Sequence, residues 1–326
     1  MILVTGGAGF IGSAIVWGLN QSGRDDIVVV DHLGLGDKWK NLARQHIDYV
    51  VPKEIFPTWL RENSKSIEAV FHLGACSATT ERDADYLMNN NVLFTKDLWD
   101  YCAQHSIPFL YASSAATYGA EEENFSDEHP NISSLVPINK YGWSKQLFDT
   151  WAIKQKKAPP AWFGFKFFNV YGPQEYHKGA QASVVYHAFP QVRDKGQLRL
   201  FKSYRQAVAH GEQQRDFVYV KDIVRIMLHF WKNAKNIQSG LYNLGTGQAR
   251  SFKDLGEAVF AAMGKSPRFD WIEMPDSLKN QYQYFTEANL EKLRNAGGYT
   301  ADFHSLEEGV ADYVRNYLTQ DQPFLS

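Results

Sequence analysis

The first dozen residues, MILVTGGAGFIG, restrict what this chain can fold into more than any other stretch. Ile2, Leu3, Val4 and Thr5 read as a short buried strand, and Gly6, Gly7, Gly9 and Gly12 lead at once into the apolar-rich run from Ile11 to Leu19, which reads as a helix. Glycines 7, 9 and 12 fit G-x-G-x-x-G, and glycines 6, 9 and 12 fit the variant with two residues in each gap. Such a turn lets backbone approach a pyrophosphate while a helix N-terminus offers it free N–H groups, so Gly6, Gly9, Phe10, Ile11 and Gly12 are the expected contacts. A glycine turn alone is weak evidence. Here a second apolar strand from Ile27 ends in Asp31, about 20 residues on, where a carboxylate can reach an adenosine ribose.

The rest of the first half alternates strands (69–73, 109–112, 162–168) with helical patterns (85–104, 141–154), as a doubly wound parallel sheet requires. From Asn169 the alternation gives way to a polar, Gly- and Gln-rich stretch with short strands at 198–201 and 217–220 and a loop at 207–215. Helical patterns return at 223–233, 252–263 and 305–318. The expected architecture is α/β: a Rossmann-type dinucleotide domain over 1–168, and a smaller mixed α/β substrate lobe over 169–326. Residues 215–245 are expected to return to the first domain. A formal net charge of −2 gives no long-range pull toward nucleic acid or an acidic membrane, and no run reaches the length of a membrane helix. Cys76 and Cys102, with no leader pattern ahead of the first strand, read as two free thiols in a reducing cytoplasm.

Two segments carry candidate chemistry. HLGACSATT, His72 to Thr80, puts small residues at the carboxyl end of a parallel strand, where Gly74, Ala75, Cys76 and Ser77 let a cofactor lie against the backbone. Cys76 has no neighbouring base in sequence and reads as a lining residue rather than a nucleophile. FLYASSAATYG, Phe109 to Gly119, is followed by Tyr141-Gly-Trp-Ser-Lys145, whose tyrosine and lysine share one helix face. An ammonium beside a phenol favours its ionised form, and the Ser114 hydroxyl can bond the same substrate oxygen. Together the three make a proton relay for interchange of alcohol and carbonyl. Tyr-x-x-x-Lys by itself is usually a surface pair; the glycine turn upstream reverses that reading.

TGGAGFIG, SSAATYG, Tyr141-x-x-x-Lys145, FNVYGP (168–173), RDFVYVKD (215–222) and YNLGTG (242–247) stand in order over nearly the whole chain. Together they resemble the extended short-chain dehydrogenase/reductase family, most of whose members modify nucleotide-activated sugars. HLGACS, HKGAQAS (177–183) and LKNQYQYFT (278–286) bring the likeness nearest to the branch that inverts carbon 6 of an ADP-linked heptose, a precursor of lipopolysaccharide core heptose.

The resemblance implies oxidation of that carbon by a nicotinamide and return of the hydride to its other face, with Tyr141 and Lys178 as acid/base groups on two sides. It also implies substrate contacts at Ser114, Asn169, Ala180, His187, Phe201, Lys202, Ser203 and Tyr204. Arg215 is expected on the diphosphate and Tyr282 over the sugar or its phosphates. On the cofactor side it adds Leu73, Asn91, Val170 and Lys178. Asp31 alone argues for NAD; His32, Lys38 and Lys53 are cations placed as the family places those that hold a 2′-phosphate, so NADP is expected. A homo-oligomer, with five-fold assembly among the options, is implied as well. Leu73, Ala180 and Trp143 depart from the branch's pattern and bear on the choice of sugar. The competing readings are a 4-epimerase or reductase on another nucleotide sugar, and a redox-sensing binding protein. A dehydratase is disfavoured because its Asp-Glu pair would fall at Ala115 and Ala116.

Overall fold

Strand β1, Ile2–Thr5, sends Ile2 and Val4 into one apolar cluster and Leu3 into another. Strand β2, Ile27–Asp31, repeats the split with Ile27 and Val29 against Val28 and Val30. Strands apolar on both faces have to be covered on both. In the computed structural model, which describes residues 1–63, 66–123, 125–279 and 282–326, helices Phe10–Gln21 and Val220–Lys232 cover one face. Helices Phe94–His105 and Lys140–Ala152 cover the other, with Trp99 at the centre of that cluster.

The strands between are β3, Tyr49–Pro52; β4, Ala69–His72; β5, Phe109–Ser114; and β6, Trp162–Phe167. With β10, Gly240–Leu244, they form a seven-stranded sheet ordered β10-β6-β5-β4-β1-β2-β3. Each neighbouring pair is parallel. This is the doubly wound, Rossmann-type fold read from the sequence. The order reverses between β1 and β4, which opens a crevice at their carboxyl ends. There the two strand ends nearly touch: a Cβ on Gly6, whose φ is +67°, would lie 2.5 Å from the Gly74 nitrogen.

Several elements differ from the sequence reading. The edge strand β3 was not legible, and neither was β10, which pairs with β6 inside the 215–245 stretch. The single helix expected over 85–104 is helix Ala84–Leu87, a π-helical turn over Met88–Leu93, and helix Phe94–His105. The stretch after Asn169, read as polar with short strands, contains the full helix Val184–Lys195. It is capped by the Ser183 hydroxyl and closed by Gly196 at φ 64°. Arg215, expected in a loop, lies in β9, Gln214–Tyr219, between β7, Asn169–Tyr171, and β11, Ala249–Ser251. A two-stranded sheet pairs β8, Leu198–Phe201, with β12, Phe269–Ile272. Among the described residues no helix is long and apolar enough to cross a membrane.

Candidate active site

Gly9 begins the 10–21 helix without a side-chain cap, so the first-turn amides face the crevice. The close packing of this turn leaves no room for side chains: a Cβ on Gly12 would fall 2.1 Å from the Gly6 carbonyl oxygen. Around it lies a cleft of about 850 Å³. It is lined by Gly6, Gly9, Phe10, Ile11 and Gly12, by Asp31 and Lys38, and by Leu73, Gly74, Ala75 and Ser77. Ser114, Tyr141, Lys145, Val170, Lys178 and Ala180 complete the set of sequence-predicted residues on its wall. The glycine turn thus shares one space with the Tyr–Lys helix face and the HKG turn, both more than a hundred residues further along the chain.

Asp31 is tied to the glycine turn: its Oδ2 accepts the Ala8 amide at 2.9 Å, and its Oδ1 accepts Lys38 Nζ at 2.5 Å. Lys38 is thereby fixed beside the glycine turn. The other two expected cations are elsewhere. His32 is exposed beside Glu54, and Lys53 donates to the Asn90 side chain with its ammonium 5.0 Å from the Phe94 ring centre. Asn91 is buried and spends its amide on the Cys76 backbone and on Ser144 Oγ; it shapes the HLGACS loop and does not line the cleft. The π-helical turn carries this residue, which explains the interrupted helix. Cys76 is likewise held by its backbone, and its thiol is free.

Tyr141 is buried, with its hydroxyl hydrogen-bonded to Ser114. Burial raises this phenol above its ordinary value and the Ser114 bond only partly opposes it. Lys145 Nζ donates a hydrogen bond to the Ala112 carbonyl at 2.8 Å, and burial lowers its ammonium to about 8. Lys178 is no solvated surface lysine. Its ammonium stands 5.2 Å from the Phe10 ring centre, and burial lowers it against the pull of Glu175. Glu175, wholly buried, holds the turn in place by accepting Ser183 Oγ at 2.7 Å and the Ser183 amide at 2.5 Å. His177, Thr79 and Thr80 also line the cleft; they lie within the HKGAQAS and HLGACSATT segments but were given no role of their own from sequence.

The remaining expected residues lie outside this cleft. His187 lines a separate cavity of about 570 Å³ with His177, Tyr176 and Phe324, and Asn169 is exposed at the start of β7. Arg215 is buried, donates to the Gln214 carbonyl at 2.8 Å and to the Gln283 carbonyl, and stands 5.2 Å from the Tyr282 ring centre. It bonds no carboxylate among the described residues: Asp216, its neighbour, caps Thr246, Gly247 and Ala288 instead. Tyr282 packs on Tyr284, whose hydroxyl accepts the Tyr204 amide at 3.0 Å. Lys202 pairs with Glu273 at 2.6 Å, and the Ser203 amide donates to His210 at 3.0 Å. Phe201, at the end of β8, completes this second group. Gln283 joins it to the first by donating to the Gly119 carbonyl, at the end of the Ser114 turn. Asn280 and Gln281, inside the LKNQYQYFT motif, lie outside the described residues.

An open glycine turn at the switch point of a parallel sheet, with Ser, Tyr and Lys beside it, defines an extended short-chain dehydrogenase/reductase with a nicotinamide dinucleotide cofactor. Residues 2–245 match the model of the NAD dependent epimerase/dehydratase family, and the chain belongs to it. It is 52% identical, over the whole of both chains, to ADP-L-glycero-D-manno-heptose-6-epimerase of Fusobacterium nucleatum, and 48% identical, again over both whole chains, to the protein of that name in Nitratidesulfovibrio vulgaris. The crystal structure of Helicobacter pylori ADP-L-glycero-D-manno-heptose-6-epimerase superposes with a TM-score of 0.81 at 28% identity, covering 97% of this chain and 95% of that one.

Proposed function

We propose that this protein is an isomerase that interconverts ADP-D-glycero-β-D-manno-heptose and ADP-L-glycero-β-D-manno-heptose. The observation that carries the reading is the convergence of Ser114, Tyr141, Lys145 and Lys178 on the cleft that holds the glycine turn. A nicotinamide dinucleotide held by the glycine turn would supply reversible hydride exchange with the sugar carbon. The chain's own part is to move a proton at the hydroxyl oxygen of that carbon. Tyr141, bonded to Ser114, does so from the β5 side, and Lys178 from the 176–181 turn. Burial makes the Lys178 ammonium a readier acid than a solvated lysine, as a group that must exchange protons near neutral pH requires. Arg215, a buried fork bonded only to carbonyls, supplies a permanent charge for the substrate diphosphate, with Tyr282 across its face.

Purified protein given the D-epimer without added NADPH is expected to yield the L-epimer, followed by anion exchange or NMR, with no net cofactor consumed. Turnover of UDP-glucose alone would reject this reading. The cofactor is read as NADP because Asp31, already engaged by the Ala8 amide and Lys38, carries an ammonium where a bare carboxylate would repel a 2′-phosphate. Lys38→Ala is accordingly expected to weaken NADP binding more than NAD binding, measured by calorimetry. Equal losses would remove the ground for preferring NADP.

A further inference from the structure

Beneath the proposed catalytic groups lies an ion pair to which that chemistry gives no part. Lys166, on β6, and Asp149, near the end of the 140–152 helix, are both wholly buried, with Nζ and Oδ2 2.8 Å apart. Burying two charges costs much of what their attraction returns, so a pair of this kind is weak as a stabilising device in itself. Its other bonds run toward the active site. Asp149 accepts Ser113 Oγ at 2.6 Å and the Tyr111 hydroxyl at 3.0 Å, and Lys166 donates to Thr117 Oγ1 at 2.7 Å. Thr117 Oγ1 in turn donates to the Ser114 carbonyl at 2.8 Å. On the helix, Tyr141, Lys145 and Asp149 follow one another at every fourth residue along one face. One end of the network thus grips the Ser114 backbone, and the other lies a helical turn from Lys145.

We propose that Asp149 is a positioning residue: its carboxylate keeps Lys145 charged in a buried setting, while the Lys166–Thr117 arm holds Ser114 at the end of β5. This rests on the reading of Lys145 as a cofactor-side ammonium. The groups around Lys145 are few. Its own helix brings Tyr141 and Asp149, β5 the Ala112 carbonyl, the loop after β4 the Cys76 thiol, and β6 Lys166, which is turned onto Asp149. From β4 comes His72, held between Thr5 and Thr95 and driven by burial to about 3, so that it is neutral. Among the described residues, Asp149 is the carboxylate that acts on Lys145. It opposes the burial that draws Lys145 down.

The test is the dissociation constant of NADPH, read by its fluorescence across a pH series on the full chain. Binding should weaken as pH rises through about 8, where Lys145 loses its proton. In Asp149→Asn that midpoint is expected to fall by about one pH unit, since a nearby opposite charge is lost. The double variant Asp149→Asn, Lys166→Met leaves no uncompensated buried charge and should move in the same direction. Thr117→Val breaks only the arm to Ser114 and should lower kcat without moving the midpoint. Equal midpoints in wild type and both Asp149 variants overturn the proposal, as does the absence of any such weakening in the wild type. Failure of both variants to fold overturns it too, because the pair would then be a structural strut. A chain with the expected pH dependence that left ADP-heptose unchanged would sink the proposed function and leave this inference standing.

Discussion

Replacing Tyr141 with phenylalanine is expected to slow interconversion of the two ADP-heptose epimers at least about a hundredfold, the low end of what a positioned acid or base contributes. The substitution removes one oxygen from a ring that is already buried, so packing against the 140–152 helix and β5 is kept. What disappears is the hydroxyl bonded to Ser114. Burial, the larger influence on this phenol, raises it above its ordinary value, so the proton it exchanges with the substrate oxygen is held more tightly than in water. NADPH affinity should stay near the wild-type value while kcat falls, which separates lost chemistry from lost binding. A variant within about tenfold of wild type in kcat would remove Tyr141 as the acid/base group.

Lys178→Met is expected to cost a similar factor, again at least about a hundredfold. Methionine keeps an unbranched apolar side chain and deletes the ammonium that stands 5.2 Å from the Phe10 ring centre. Because Glu175 and Ser183 anchor the turn independently of Lys178, the loop should hold its shape. Normal cofactor affinity with lost turnover would mark a proton-transfer role; a normal rate with weakened cofactor binding would make Lys178 a phosphate ligand. If the two residues act on opposite sides of one carbon, the double variant should be little worse than either single variant, since each blocks the same cycle. Strictly additive losses would argue that they serve separate steps.

The glycine turn and the Tyr–Lys helix face were legible because each is local. A glycine turn depends on which residues follow a strand, and Gly6 and Gly12 are needed at places where a Cβ would strike backbone. Tyr141 and Lys145 share a helix face whatever the helix packs against. Asp149, one turn further, carries no signal in sequence, because a carboxylate on a helix is usually solvated. Only burial beside Lys166 distinguishes it. Asn91 is placed by sequence on the cofactor side; that its amide meets the Cys76 backbone from a π-helical turn is not visible in spacing. His32 and Lys53 carried the right charge but found partners in Glu54 and Asn90, which sequence spacing does not reveal.

The order of residues alone determined the class of fold, the crevice that takes a dinucleotide, and the placing of a phenol and an ammonium on one helix face, since each follows from short-range spacing and periodicity. Tertiary structure decided which charges are buried and what they face. It brought Lys178 from a loop to the glycine turn, set Arg215 in a strand under Tyr282, and placed His187 on a different cavity from Tyr141. Those outcomes depend on contacts between segments far apart along the chain, and the cost of removing a charge from water is fixed only once its neighbours are in place.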